Sequence, residues 1–592
     1  MIDRIYSKLF ISFFIQAFVL SITGMVDCAV VGRWCGADGL TSMQLAMPVF
    51  LVLTVPSFIG ANGISIVISR EIGQGRKNKA VAAFSTAVIA SGFIGIVFTA
   101  VGILAPSAVT RCLIGFNEET ELVELVNLYL QPVLIGAVPI ILLSILNAAA
   151  ALEGKTVLIS VVSFLMLPLD IVYDLIAVFV FNAGVKGVAY ASSLTYLSAF
   201  MIMLVFITGR RSMFTIDPGM FSPELLRDVI VSGIPHGIDI LCDTIRPIFI
   251  NMCMLAFGTL TGIAALTIQD SIHYFPEAVC IAAGSAMMTL SAVFFGEKDR
   301  SSLMYIRKNT FWKMAASACA LSGFLWIAAP VCVKLFTDNA EVMDLAVTAF
   351  RWYAAGVPFA AVNHMIIGYL NGIEKIKLSS AYIVIGNLLV PMLCIFSLGK
   401  TFGLIGIYAA FGLNELIMTL IGIIFMVVAG RLRSSVMDPL GQYMSSGIMA
   451  LDMNIRNEQD VIDASEEVRR FCIQNGISYR LSYHAALCIE ELASNTIKHG
   501  FTASRKNHLS IRVAVDKDSI ILRSRDDCNQ FDITERYSIL DTDDKMSCLG
   551  IRLIYGVSDR VDYTSALDLN NICIHIMKRE GEQHVTNRKY TI

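Results

Sequence analysis

The segment "PVLIGAVPIILLSILNAAAALEGKTVLIS", residues 132–160, returns about 220 residues later as "RWYAAGVPFAAVNHMIIGYLNGIEKIKLSS", residues 351–380. Each copy is an apolar run, a short charged connection and a second apolar run. "GVKGVAYASSLTYLSAF" and "FGLIGIYAAFGLNELIM" form another pair at a similar offset. The composition says what kind of repeat this is. The chain has 592 residues, 56% of them hydrophobic and 16% charged, with a mean hydropathy of +0.68. That balance excludes an ordinary soluble protein.

A helix needs about 20 apolar residues to cross a bilayer. About twelve stretches qualify, roughly at 10–32, 43–68, 80–105, 122–151, 156–181, 187–208, 228–257, 260–293, 312–336, 346–372, 379–400 and 404–430. The apolar N-terminus is too long for a cleaved signal peptide and runs straight into further spans, so it is read as the first of them. If that span starts inside, the inner connections carry Arg70, Arg76, Lys77, Lys79, Lys155, Arg210, Arg211, Lys298, Arg300, Arg307, Lys308, Lys375, Lys377, Arg431 and Arg433. The outer ones have little beyond Arg33, Arg111, Lys186, Lys334 and Lys400. This bias places both termini in the cytoplasm, and the expected location is the plasma (inner) membrane. Six spans match six, and six is even, so the halves are parallel repeats with the substrate path between them. The expected organisation is a six-helix bundle at 1–215, a second at 216–432, a linker at 433–448 and a cytoplasmic domain at 449–592.

Ionisable groups inside a span cost about 2.5–3.5 kcal/mol or more on insertion scales, so they mark cavities or partners. Asp27 is alone in the first span. Asp170 and Asp174 lie one turn apart in the fifth, where like charges repel. The seventh, "HGIDILCDTIRPIF", puts Asp239, Asp243 and Arg246 on one stripe. The eighth, "IQDSIHYFPEAV", does the same with Asp270, His273 and Glu277, and Pro276 should kink it. Asn387 and Pro391 answer the acidic pair in the second repeat. The fourteen cysteines are scattered, without zinc-type spacing, and are read as small hydrophobes.

The segments "MVDCAVVGRWCGADGL", "ISREIGQGRKNKAV" and "LDIVYDLIAVFVFNAGVKGVAYASSL" resemble the multidrug and toxic compound extrusion (MATE) family, over roughly residues 10–430. The resemblance implies an antiporter that exports organic, often cationic, compounds against inward H⁺ or Na⁺. It assigns ion or proton coupling to Asp27, Asp170 and Asp174, with Asp at 170 where the family commonly has Asn. The remaining charged groups, Asp239, Asp243, Arg246, Asp270, His273, Glu277 and Asn387, are then expected to line a net-acidic substrate cavity. For Arg246 a structural pair with Asp239 or Asp243 weighs equally.

Charge becomes dense after Asp452, and the pattern turns to mixed α/β. "MALDMNIRN" reads as a strand, followed by helices near 457–474 and 480–499. A hairpin "LSIRVAV-DKDS-IILRSRDD", a helix near 549–557 and two closing strands complete a two-layer sandwich. The motif "EELASNTIKHGF" resembles the N-box of the GHKL ATP-binding superfamily, most closely the anti-sigma-factor serine kinases. The resemblance implies ATP with Mg²⁺, with Asn495 on the metal and Glu491 as general base. Asp526 would take the adenine amino group, and Gly550 would let backbone N–H groups reach the phosphates. Cys528 and Cys548 stand where the family usually has glycine, which weighs against robust ATPase or kinase turnover. A Gly-x-x-x-x-Gly-Lys phosphate loop of the kind that powers ATP-driven pumps is absent from the tail.

The expected function is therefore an ion-driven antiporter with a nucleotide-binding regulatory tail. One alternative is a membrane sensor whose tail binds or phosphorylates an anti-anti-sigma-like protein. The other is a lipid-linked saccharide flippase, which the excess of acids disfavours. Nothing in the sequence suggests nucleic acid as a partner.

Overall fold

The computed structural model describes residues 2–578 apart from 32–33, 35, 75, 115–119, 210–211, 258, 335, 337–338, 432–438, 441–448, 503–506, 517, 540–547 and 568. The expected linker at 433–448 lies almost wholly outside the described residues, as do Arg33, Arg210, Arg211 and Arg433. The chain divides into two compact units. The first comprises Ile2–Gly73 with Asn78–Met437, and the second contains Asp438–Ile592.

The larger unit is all helical. Its first half contains α1 (Ile2–Val30), α2 (Gly36–Gly73), α3 (Lys77–Leu104), α4 (Pro106–Ile114), α5 (Thr120–Ile135), α6 (Ala137–Leu152), α7 (Thr156–Leu175) and α8 (Gly184–Ile207). The second half contains α9 (Pro223–Phe257), α10 (Leu260–Ile272), α11 (Tyr274–Gly296), α12 (Arg300–Tyr305), α13 (Phe311–Lys334), α14 (Ala340–Gly372), α15 (Ile376–Val384) and α16 (Val390–Arg431). Large apolar side chains stand on its outside, among them Phe93, Phe164, Trp312, Ile327 and Phe402. Helices of this length with such surfaces make it a multi-pass membrane protein.

The expected count of twelve spans is not reached. Among the described residues nine helices are long and apolar enough to cross, or ten if the pair α5–α6, bent by 49°, is one span. Two physical causes account for the difference. Residues Ile376–Val428 run as a single 53-residue apolar segment, and only Gly403, at φ 60°, breaks it. α9 falls short because Asp228, Asp239, Asp243 and Arg246 dilute its hydropathy. In the eighth span the hydrogen-bond ladder is interrupted at His273, between α10 and α11, although His273 keeps helical angles of φ −65° and ψ −22°. Proline has no N–H for the Ile272 carbonyl, so Pro276 removes one bond of that ladder.

The repeat is visible in the connections. At the end of α6, Gly154 takes φ 76° and Lys155 N–H reaches the Ala150 carbonyl at 2.9 Å. At the end of α14, 220 residues on, Glu374 takes φ 59° and Lys375 N–H reaches the Leu370 carbonyl at 2.8 Å. Both are left-handed helix caps of one design, although only the first has the glycine that favours it. Packing between the halves follows the same symmetry, because α2 lies on α9 and α1 on α11, while α2 and α11 cross each other. The α2–α9 approach is backbone to backbone. A Cβ on Gly63 would lie 2.2 Å from the Val229 carbonyl oxygen, and one on Gly233 would lie 2.1 Å from that of Ile59.

The second unit is a five-stranded antiparallel sheet covered by helices. Its strands are β1 (Met449–Ile455), β2 (Leu509–Val515), β3 (Ser519–Asp526), β4 (Arg560–Ala566) and β5 (Leu569–Met577), in the order β1-β2-β3-β5-β4. Its helices are α17 (Glu458–Gln474), α18 (Tyr479–Asn495), α19 (Ile533–Ser538) and α20 (Leu549–Val557). Alternation sets the layers. In β2, Leu509, Ile511, Val513 and Val515 face inward and meet Val468, Ile489 and Leu492 from the helices in one core. Asn457 caps α17 through the Asp460 N–H and Ser478 caps α18 through the Leu481 N–H, which fixes where each helix enters.

Candidate functional site

The first-half site is built by α1, α7 and α8. Asp27 is 6% exposed and Asp170 and Asp174 are 0% exposed, and their carboxylates offer oxygens all within 4.8 Å of one another. α8 supplies one hydroxyl to each of two acids. Ser192 donates to Asp27 at 3.1 Å, and Thr195 donates to Asp170 at 3.0 Å. Four carboxylate oxygens remain without a hydrogen-bond partner: Asp27 Oδ1, Asp170 Oδ2 and both of Asp174. Directly after Asp174 the helix opens into a π-helical turn, Ile176–Val180, a distortion common at functional sites.

The energetics of such a trio decide its chemistry. At an effective dielectric of about 20, two unit charges near 4.8 Å repel by roughly 3.5 kcal/mol. Three ionised carboxylates in one buried site therefore demand a bound cation or protons. The orphaned oxygens fit either, being hard donors suited to an alkali cation and equally able to share a proton. Spacing put Asp170 and Asp174 on one face and the family resemblance grouped Asp27 with them; in the structure the three carboxylates, from two helices, lie together.

The second-half residues separate into pairs. Asn387, itself in a π-helical turn at Ile385–Leu389, donates to Asp239. Arg246 Nη2 lies 3.1 Å from Asp243 Oδ1, the pairing the sequence left open. Glu277 meets His364, with Nε2 3.4 Å from Oε1. His273 Nδ1 turns to the Asp270 carbonyl of its own segment, and its ring stands edge-on to Tyr353 at 5.9 Å. Asp270 is exposed and has no ion pair among the described residues.

Three groups in this region escaped the sequence reading. Glu415 on α16 accepts from Asn363 at 2.8 Å and from Asn414 at 3.0 Å. His364 lies on α14, and His236 on α9 has a buried Nε2 without a partner. The signal that found the other groups, an ionisable residue within an apolar run, was present for all three.

At one end of the bundle polar contacts join the halves. Arg70, at the end of α2, is 3.1 Å from Glu71, from Asp228 on α9 and from Glu374 after α14. At the start of α1, Asp3 pairs with Lys313 and accepts from Tyr305 at 2.8 Å, and Tyr6 donates to the Ala283 carbonyl at 3.2 Å.

In the C-terminal unit, Glu491 and Asn495 project from the last turn of α18, and α20 begins directly over them. A Cβ on Gly550 would lie 2.2 Å from Glu491 Oε2 and 3.4 Å from Asn495 Nδ2. Glycine there keeps the helix N-terminus within reach of both. Asp526 ends β3, 4% exposed, and its Oδ1 accepts from Asn570 at 2.8 Å and from the Cys528 N–H at 3.0 Å. Burial raises the Asp526 carboxyl above its ordinary range, against the lowering by Asn570 and Cys528. Beside it, burial pushes the Arg525 guanidinium down to about 10.

The two cysteines that replace expected glycines differ. Cys548 sits at φ 51°, the left-handed region where a Cβ is costly. Cys528 does not; its side chain packs on Gly500, where a Cβ would lie 2.9 Å from the Cys528 sulfur. Acceptor, helix N-terminus, amide and acid are chemically suited to a nucleotide with its metal: Asn495 would hold the metal, Asp526 the base and the α20 backbone the phosphates, with Glu491 beside them as a base.

A family model described as MatE matches residues 13–176 and 235–396, and one described as "Histidine kinase-like ATPase domain" matches 456–576. The chain is 22% identical over 393 residues to the multidrug export protein MepA of Staphylococcus aureus (strain NCTC 8325 / PS 47), covering 65% of this chain and 85% of that one. It is 20% identical over 342 residues to the "Probable multidrug resistance protein YoeA" of Bacillus subtilis (strain 168), covering 55% and 72%. Among solved structures it resembles an outward-facing multidrug resistance MATE family transporter of the MOP superfamily, with a TM-score of 0.67 at 22% identity over 73% of this chain and 96% of that one. A MOP superfamily transporter from Pyrococcus furiosus gives 0.66 at 22% identity over 74% and 96%.

Proposed function

The chain belongs to the MatE family, and from that premise we propose that it exports multiple organic compounds, cations above all, driven by H⁺ or Na⁺ moving inward. The observation that carries the proposal is the buried trio Asp27, Asp170 and Asp174 with its four unpartnered oxygens. A coupling cation or proton entering the trio relieves the repulsion of roughly 3.5 kcal/mol per pair. That change in local charge biases which face of the bundle is open. Asp239, Asp243, Asp270, Glu277 and Glu415 outnumber the bases around them, which favours a cationic cargo.

The contacts around Arg70 and Asp3 lie at the end that the loop charges assign to the cytoplasm. These contacts hold that end together, and on this reading the substrate path opens to the outer side. Breaking these contacts is the step that exposes the cavity to the inside.

The C-terminal domain implies ATP binding, typically with Mg²⁺. Bound there, ATP would bring a transferable phosphoryl group. Asn495 would hold the metal and Glu491 would accept a proton from an attacking hydroxyl. Asp526 would read the base, and the N–H groups at the start of α20 would receive phosphate oxygens. We assign this domain a regulatory role on the cytoplasmic side, because the trio already supplies an ion-driven engine. An anti-anti-sigma-like protein is the partner class its resemblance suggests.

Reconstituted protein tests the reading. Vesicles without nucleotide should move ethidium when a proton or Na⁺ gradient is imposed, and reversing the gradient should reverse the flux. Flux that requires ATP would make the protein a primary pump instead, and no flux under any gradient would favour a sensor.

A further inference from the structure

The second half holds ionisable groups that the coupling trio does not use. Glu277 stands in the first turn of α11, and His364 reaches across from α14 to pair with it. Both side chains lie among α9, α11, α14 and α16, yet remain 33% and 26% exposed. Both are therefore partly accessible rather than sealed in the apolar core.

Three of the neighbouring acids are already held by fixed partners, while Asp270 is exposed and has no ion pair among the described residues. Neutral amides hold Glu415, through Asn363 and Asn414, and Asp239, through Asn387. A permanently charged guanidinium holds Asp243. Glu277 differs, because among the described residues His364 is its ion-pair partner. Imidazole alone among these counter-groups can give up its charge near neutral pH. The other charges facing His364 are Asp239, Asp243 and His236 on α9 and Glu415 on α16. Those facing Glu277 include His273 and Arg246, with Asp243 opposite.

We propose that His364 is a releasable counter-cation, so that an organic cation takes its place on Glu277 while His364 gives its proton to water. The exchange balances: the Nε2–H bond breaks, one positive charge leaves as hydronium, and one enters with the substrate. This inference rests on the reading of the chain as an exporter of cations and names the group that senses them. Cation affinity is then linked to one proton. It rises with pH, by up to about tenfold per unit while His364 titrates, because protonated His364 competes for Glu277.

Full-length protein in detergent, with tetraphenylphosphonium as a permanent cation, provides the test. Binding is measured by equilibrium dialysis from pH 5.5 to 8.5, and proton release with an indicator dye. Wild type should release about one proton more per cation than His364→Gln. The Gln variant should have a flattened pH slope and bind at least tenfold more tightly than wild type at pH 5.5. His364→Arg, which cannot release its charge, should bind at least tenfold more weakly at pH 8.5. An unchanged slope in His364→Gln with normal binding would overturn this assignment alone. Wild type that binds no cation at any pH would overturn both the assignment and the cation-export reading beneath it.

Discussion

Replacing Arg70 by Ala unties α2 from two elements of the opposite half in one step. The guanidinium is 3.1 Å from Asp228 and 3.1 Å from Glu374, while its contact with Glu71 stays within α2. The side chains are 23%, 48% and 30% exposed for Arg70, Asp228 and Glu374. An ion pair near 4 Å is worth about 4 kcal/mol at an effective dielectric of 20, but exposed partners retain only roughly 0.5–1 kcal/mol each. Two such pairs give about 1–2 kcal/mol, a shift of about 5- to 30-fold between the joined and parted states. Spin labels at Val180 and Val331, both well exposed and in opposite halves, report the distance between the bundles. Arg70→Ala should populate a second distance, and added salt should enlarge that population in wild type. Arg70→Glu combined with Asp228→Arg should restore part of the original distribution. A folded Arg70→Ala protein with the wild-type distribution would refute the latch.

Two further outcomes concern the C-terminal unit. Asn495→Ala should lose at least tenfold in affinity for a fluorescent ATP analogue and leave ion-driven efflux in nucleotide-free vesicles intact; efflux lost in parallel would contradict a regulatory role. Cys548→Gly removes a left-handed Cβ that costs roughly 1–2 kcal/mol, less the greater chain entropy of glycine. Urea unfolding of the separately expressed residues 449–592 should show a net gain of about 0.5–1 kcal/mol, and no gain would mean the strain is absent.

The fold was largely written in apolar periodicity. Span positions, the duplicated half and the strands of the C-terminal unit follow from patterns only a few residues to a few turns long. The site was legible to the extent that it lay within one helix. Asp170 and Asp174 advertise themselves by spacing, whereas their meeting with Asp27, and the hydroxyls of Ser192 and Thr195, depend on how α1, α7 and α8 pack. The same reason hid the Glu277–His364 pair, whose members are 87 residues apart by their numbering. Arg70 looked like one more inner-loop charge, because a sequence does not say that Asp228 and Glu374 converge on it. Cys548 was legible as a departure; its positive φ needed coordinates.

The central claim is that Asp27, Asp170 and Asp174 together form the binding site of the coupling cation or proton. The most direct measurement is gradient-driven ethidium flux in proteoliposomes containing Asp174→Asn, paired with equilibrium binding of ethidium to the same protein. We predict flux at the level of empty vesicles under both proton and Na⁺ gradients, with binding within about twofold of wild type. Full gradient-driven flux through the Asn variant would contradict the account.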